Sequence, residues 1–208
     1  MSAAETLLAL EHARVLPVVV IDRASEAEGL ARALLAGGIP CAEVTLRTEA
    51  GLDAIAGMSA VAGFTVVAGT VLTAADAENA ISAGAVAVVS PGLDDGVVRM
   101  AERHGVAAVP GVATATEVQR ALALGVDRVK FFPAAVSGGV EAIAALAGPF
   151  PSVRFLPSGG VTLTSASQYL AHPSVFAVSG SWMVPRDALG DVDRIRALAE
   201  RTSRELAS

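Results

Sequence analysis

Apolar residues fall along this chain in two alternating patterns. Short runs rich in β-branched residues recur at Val15–Ile21, Ala42–Leu46, Thr65–Ala68, Ala85–Val89, Val106–Val109, Arg128–Phe132, Arg154–Leu156 and Val175–Val178, and each reads as a strand. Between them lie alanine- and leucine-rich stretches with the spacing of a helix face, as in Ala27, Leu30, Ala31, Leu34 and Leu35. Ser25 with Glu28, Thr73 with Asp76 and Thr114 with Glu117 have the capping-box spacing that opens a helix. Gly37, Gly84, Gly105 and Gly125 stand where a helix would end before the next strand. The stretches Ala3–His12 and Asp187–Leu206 read as helices flanking the array. No linker, charge run or low-complexity tail interrupts it, so one domain is expected over residues 1–208.

Strands that alternate with helices pair in parallel, and eight is the number that closes a barrel. The expected fold is therefore α/β, a (β/α)8 TIM barrel with flanking N- and C-terminal helices. An open doubly wound sheet is the alternative, although no GxGxxG follows the first strand. Either fold gathers functional side chains at the carboxyl ends of its strands.

Strand alternation then sorts the charges. In the second strand Val44 and Leu46 share the helix-facing side, which turns Glu43, Thr45 and Arg47 inward. In the sixth, Val129 and Phe131 face the helices, so Lys130 and Phe132 face inward. Lys130 is the only lysine among the 15 basic residues, and it lies in an apolar strand. A charge there must be paired or reach water, and a desolvated amine beside a cavity is what Schiff-base chemistry needs. A structural salt-bridge cluster would also fill a core, but three charges in a narrow interior are costly, so a functional pocket is the stronger reading.

The strand ends add complementary groups. The third ends at Gly69-Thr70, a hydroxyl able to donate to a carboxylate, and Ser90-Pro91-Gly92 follows the fourth, with Pro91 and Phe132 as pocket walls. Pro157-Ser158-Gly159-Gly160 ends the seventh, before a helix starting near Thr162, and Ser179-Gly180-Ser181-Trp182 ends the eighth. Small residues in these two loops leave backbone N–H groups bare, which suits phosphate.

Composition narrows the partners. At 53% hydrophobic and 17% charged, the chain has an Ala/Val/Leu core. A net charge of −6 without a basic stripe excludes nucleic acid as an expected partner. The charge-free stretches Ala54–Ala75 and Phe155–Pro185 are broken by glycines and hydroxyl residues, so no membrane span is expected, and no secretory signal is evident. The single Cys41 reads as a small buried hydrophobe in a reducing compartment. His12, His104 and His172 share no metal-ligand spacing, there is no G-x-S-x-G elbow, and Trp182 reads as packing.

Two segments, Gly38-Ile39-Pro40-Cys41-Ala42-Glu43-Val44-Thr45-Leu46-Arg47 and Gly125-Val126-Asp127-Arg128-Val129-Lys130-Phe131-Phe132-Pro133-Ala134, make the chain resemble the KDPG/KHG aldolase family nearly end to end. The resemblance implies a metal-independent class I aldolase, usually a homotrimer and cytoplasmic, with no cofactor beyond a covalent Schiff base. Lys130 would form that imine with a 2-oxo acid phosphate, and Glu43 would be the general acid/base. Arg47 and Thr70 would hold the carboxylate. Gly159, Gly160, Gly180 and Ser181 would contact phosphate, with Ser158 near the sugar hydroxyls. Ala135, Ser158 and Ser179 depart from the residues frequent there. The implied reaction is cleavage of 2-dehydro-3-deoxy-6-phosphogluconate to pyruvate and glyceraldehyde 3-phosphate. The galactonate epimer and 4-hydroxy-2-oxoglutarate are close alternatives; a phosphosugar epimerase or isomerase, or a non-catalytic phosphometabolite-binding barrel, is more distant.

Overall fold

The computed structural model describes residues 1–206. Helix α1 (Ala3–Ala13) precedes β1 (Val15–Val19), and the chain then alternates. It runs through α2 (Ala27–Ala36), β2 (Cys41–Thr45), α3 (Gly51–Ser59), β3 (Thr65–Gly69), α4 (Ala74–Ser82), β4 (Ala87–Val89), α5 (Asp95–Arg103) and β5 (Ala107–Val109). Next come β6 (Gly111–Val112), α6 (Ala115–Ala123), β7 (Arg128–Phe131), α7 (Gly139–Ala147), β8 (Arg154–Pro157), α8 (Leu163–Leu170), β9 (Val178–Gly180) and α9 (Val192–Leu206).

Every strand pair is parallel, as helical crossovers demand. Six strands run in the order β5-β4-β3-β2-β1-β9, and three in the order β6-β7-β8. Single bridges Phe155↔Val175 and Ser158↔Ser179 join β8 to the segment around β9. At the other seam Pro110, which has no N–H to donate, separates β5 from β6, while its carbonyl accepts from the Lys130 amide at 2.9 Å. The result is a parallel, curled sheet with nine α-helices among the described residues. Its helix-facing side carries Val44, Val129, Phe131 and Phe155, all buried, and the last two meet edge to face at 6.4 Å.

Several expectations shift in detail. The capping boxes at Thr73 and Thr114 form, and Ser2 with Glu5 and Thr162 with Ser165 add two more. Ser25 with Glu28 does not: Ser25 lies in a 3-10 turn, Ala24–Glu26, and Glu28 instead accepts from Arg32 at 3.0 Å. The last helix starts at Val192, not Asp187. A 3-10 turn, Arg186–Ala188, and Gly190 at φ 89° come first, and Asp191 accepts from the Arg194 amide at 3.0 Å. The strand expected at Val175–Val178 forms at Val178–Gly180, because a turn in which Ser174 N–H donates to His172 Nδ1 occupies the approach. Among the described residues, no helix is long and apolar enough to cross a membrane.

Candidate active site

A cleft of about 670 Å³ opens at the carboxyl ends of the strands. Glu43, Arg47, Thr70, Pro91, Lys130 and Phe132 line it, brought from β2, β3, β4, β7 and the turns after them. Ser158, Gly159, Gly160, Gly180 and Ser181 close its other side. The residues expected from sequence to catalyse, bind substrate or wall the pocket thus meet in one space. Alternation explains the convergence: Glu43 and Thr45 stay on one face of β2 while Val44 is sealed against the helices.

The floor is an ion pair between the two sheets. Lys130 Nζ donates to Glu43 Oε1 at 3.0 Å, and the two side chains are 7% and 1% exposed. Burying both charges costs several kcal/mol per ion unless their remaining hydrogen-bonding capacity is met. Here Ser179 Oγ donates to Glu43 Oε2 at 3.3 Å, and the ammonium lies 5.4 Å from the centroid of the Phe132 ring, within cation–π range. Gly69 makes the pair possible: a Cβ on it would run into the Glu43 carboxylate. Beside the pair, Thr45 Oγ1 donates to the Val19 carbonyl at 3.0 Å and accepts from Arg47 Nε at 3.4 Å, which leaves the rest of the guanidinium fork for a ligand.

The loops above are shaped by backbone. Thr70 adopts φ 55°, an uncommon state for a β-branched residue and worth about 1–3 kcal/mol of strain, which turns the chain sharply at the end of β3. Gly159 and Gly160, at φ 89° and 78°, form a left-handed pair that brings their backbone to the cleft surface. Trp182 anchors the loop after β9 by donating from Nε1 to Thr202 of α9 at 3.1 Å, so packing is its visible role. Sequence reading missed Asp22, Thr48 and Arg186, which also line the cleft. Their only signal was position, just beyond a strand or its loop.

Cys41 stands apart, buried on β2 with its thiol 3.3 Å from the Val15 carbonyl, and burial pushes the thiol up to about 12. It stays protonated and unreactive, the small hydrophobe its setting suggested. Among the described residues, no three His, Cys, Asp or Glu side chains gather to hold a metal ion.

A buried amine against a carboxylate, with an arginine fork beside it and bare backbone opposite, equips an enzyme for carbonyl chemistry on an anionic substrate. Comparison with known proteins agrees. Residues 8–198 match the family described as KDPG and KHG aldolase. The 2-dehydro-3-deoxy-phosphogluconate aldolase of Treponema pallidum is 48% identical over 197 residues, spanning 93% of this chain and 94% of its own. The crystal structure of the 2-keto-3-deoxy-6-phosphogluconate aldolase of Zymomonas mobilis ZM4 with 3-phosphoglycerate matches at TM-score 0.92 and 44% identity, over 97% and 96% of the two chains. KDPG aldolase from Legionella pneumophila, solved with pyruvate captured at low pH as a covalent carbinolamine intermediate, matches at TM-score 0.90 and 34% identity, over 95% and 97%. The chain belongs to the KDPG and KHG aldolase family and is a carbon–carbon lyase.

Proposed function

We propose that the chain reversibly cleaves 2-dehydro-3-deoxy-6-phosphogluconate to pyruvate and glyceraldehyde 3-phosphate through a Schiff base on Lys130. The observation that carries this reading is the buried Lys130–Glu43 pair at 3.0 Å on the cleft floor. The covalent pyruvate adduct of the Legionella pneumophila relative supports the same chemistry.

Lys130 Nζ, its proton passed to Glu43, attacks C2 of the substrate; Glu43 returns that proton to the carbinolamine hydroxyl, which departs as water and leaves a protonated imine beside an ionised Glu43. Glu43 then takes the C4 hydroxyl proton as the C3–C4 bond breaks, and the bonding pair flows into the imine to give an enamine. The aldehyde departs, Glu43 returns a proton to C3, and hydrolysis frees pyruvate and the amine. Arg47 and Thr70 hold the carboxylate, fixing the plane of the imine. Gly159, Gly160, Gly180 and Ser181 receive the phosphate, Ser158 faces the sugar hydroxyls, and Pro91 and Phe132 wall the pocket.

The same reading takes the two sheets as one closed (β/α)8 barrel in a single domain, β5 and β6 sharing one position across Pro110. The bridges between β8 and the β9 segment support that closure. A cytoplasmic homotrimer completes it; family resemblance supports the assembly, and a lone buried cysteine suits a reducing compartment.

Incubation with pyruvate and borohydride tests the reading. The expected result is one added mass at Lys130, together with loss of cleavage in Lys130→Ala. An unlabelled chain, or wild-type cleavage by Lys130→Ala, would sink it. The family description also covers KHG, so relative rates on the phosphogluconate substrate, its galactonate epimer and 4-hydroxy-2-oxoglutarate rank the substrates.

A further inference from the structure

A dianionic phosphate attracts cations as well as N–H groups, yet the loops after β8 and β9 offer it only backbone and the hydroxyls of Ser158 and Ser181. The cleft is lined by three cations, Arg47, Lys130 and Arg186. Lys130 is engaged by Glu43 at the floor, and the free fork of Arg47, held beside Thr45 at the end of β2, is taken by the carboxylate in the aldolase reading. Arg186 stands on the segment that continues from Ser181 through Val184 and Pro185, all of them cleft-lining. It follows Ser181 by five residues on the same cleft-lining segment.

Arg186 Nη2 donates to Asp22 Oδ2 at 2.5 Å, across from the segment that follows β1. The side chains are 65% and 58% exposed, so solvent screens the pair and little holds it closed. A phosphate carries more charge than a carboxylate and accepts the guanidinium fork equally well. Arg186 can therefore change partner without leaving a buried charge behind.

The geometry points to Arg186 as a specificity residue for the phosphate end of the substrate, with Asp22 as the resident counter-ion that the phosphate displaces. This rests on the aldolase reading above. It adds to that reading a side-chain cation outside the backbone loops, and a competing carboxylate that tunes it.

The test compares two aldehydes that differ by the phosphate, glyceraldehyde 3-phosphate and glyceraldehyde, in condensation with pyruvate. Arg186→Gln should raise KM for glyceraldehyde 3-phosphate about tenfold, the loss of one charge-assisted contact, and leave KM for glyceraldehyde and kcat within about twofold. Asp22→Asn should lower KM for the phosphorylated aldehyde, and that gain should shrink when Arg186 is already Gln. Equal effects of Arg186→Gln on both aldehydes, no effect on either, or an Asp22→Asn gain of equal size in both backgrounds would overturn the assignment. Borohydride trapping of pyruvate on Lys130 separates the failures. A variant that labels normally but keeps the wild-type KM ratio defeats the role of Arg186 alone, whereas a wild-type chain that does not label defeats the aldolase reading.

Discussion

Glu43–Lys130 at the floor of the cleft and Asp22–Arg186 at its mouth are both carboxylate–cation pairs, at 3.0 and 2.5 Å. Distance alone would rank the outer pair stronger. Burial reverses the order. The inner partners are 7% and 1% exposed, so each is held against a large desolvation cost by the other, by Ser179 and by the Phe132 face. The outer partners are more than half exposed, and water already solvates each of them. The inner pair can pass a proton or a bond without water competing, while the outer pair can only exchange partners.

The largest expected effect comes from altering the inner pair without emptying it. Glu43→Gln keeps the shape, and its amide oxygen still accepts from Lys130, so the fold should survive. It cannot take the C4 hydroxyl proton, and kcat should fall about 10²–10⁴-fold, the usual contribution of a positioned acid/base. Steady-state cleavage beside a thermal melt checks both halves of the statement. A kcat within about threefold of wild type would remove Glu43 from the chemistry.

That inner pair was legible in the sequence because strand periodicity is strict. Once Val44 and Phe131 were assigned to the helix side, Glu43 and Lys130 had to face inward, and the structure puts them in contact across 87 residues of chain. The ends of strands were less legible. The expected fifth strand forms as β5, but a further short strand, β6, follows it beyond Pro110, and the turn at His172–Ser174 delays β9, because those boundaries depend on neighbours distant in sequence. The outer pair was not legible at all. Asp22 and Arg186 sit in irregular segments with no period to orient them, and only the fold brings them together.

Cys41 supplies the case missing from the comparison, an ionisable group buried with no charged partner. Unfolded, its thiol ionises near its ordinary 9.0; folded, it holds its proton to about 12. Above pH 9 the unfolded chain therefore binds fewer protons, and stability falls as pH rises, by about 1.4 kcal/mol per pH unit from this group. Cys41→Ala should lower stability by a roughly constant packing loss and remove that slope. Urea midpoints of both proteins between pH 8.5 and 10.5 compare the slopes, which cancels the contribution of every other alkaline group. Parallel profiles would mean that burial alone does not hold the thiol neutral.

The smallest effect belongs to the outer pair, and its smallness is the point. If solvent already satisfies Asp22 and Arg186, then Asp22→Asn should change the free energy of unfolding by no more than about 1 kcal/mol, the ceiling for exposed pairs. Raising the salt concentration should shrink even that, since screening acts on exposed charges first. Denaturant melts of wild type and Asp22→Asn at low and high salt make the measurement. A loss of about 3 kcal/mol or more, insensitive to salt, is what breaking a buried pair costs. That result would show the mouth of the cleft to be closed in solution, with the pair serving as a structural latch in place of an exchangeable contact. A small, salt-sensitive change leaves Arg186 free to move at little energetic cost, which is what a side chain that answers to an arriving phosphate requires.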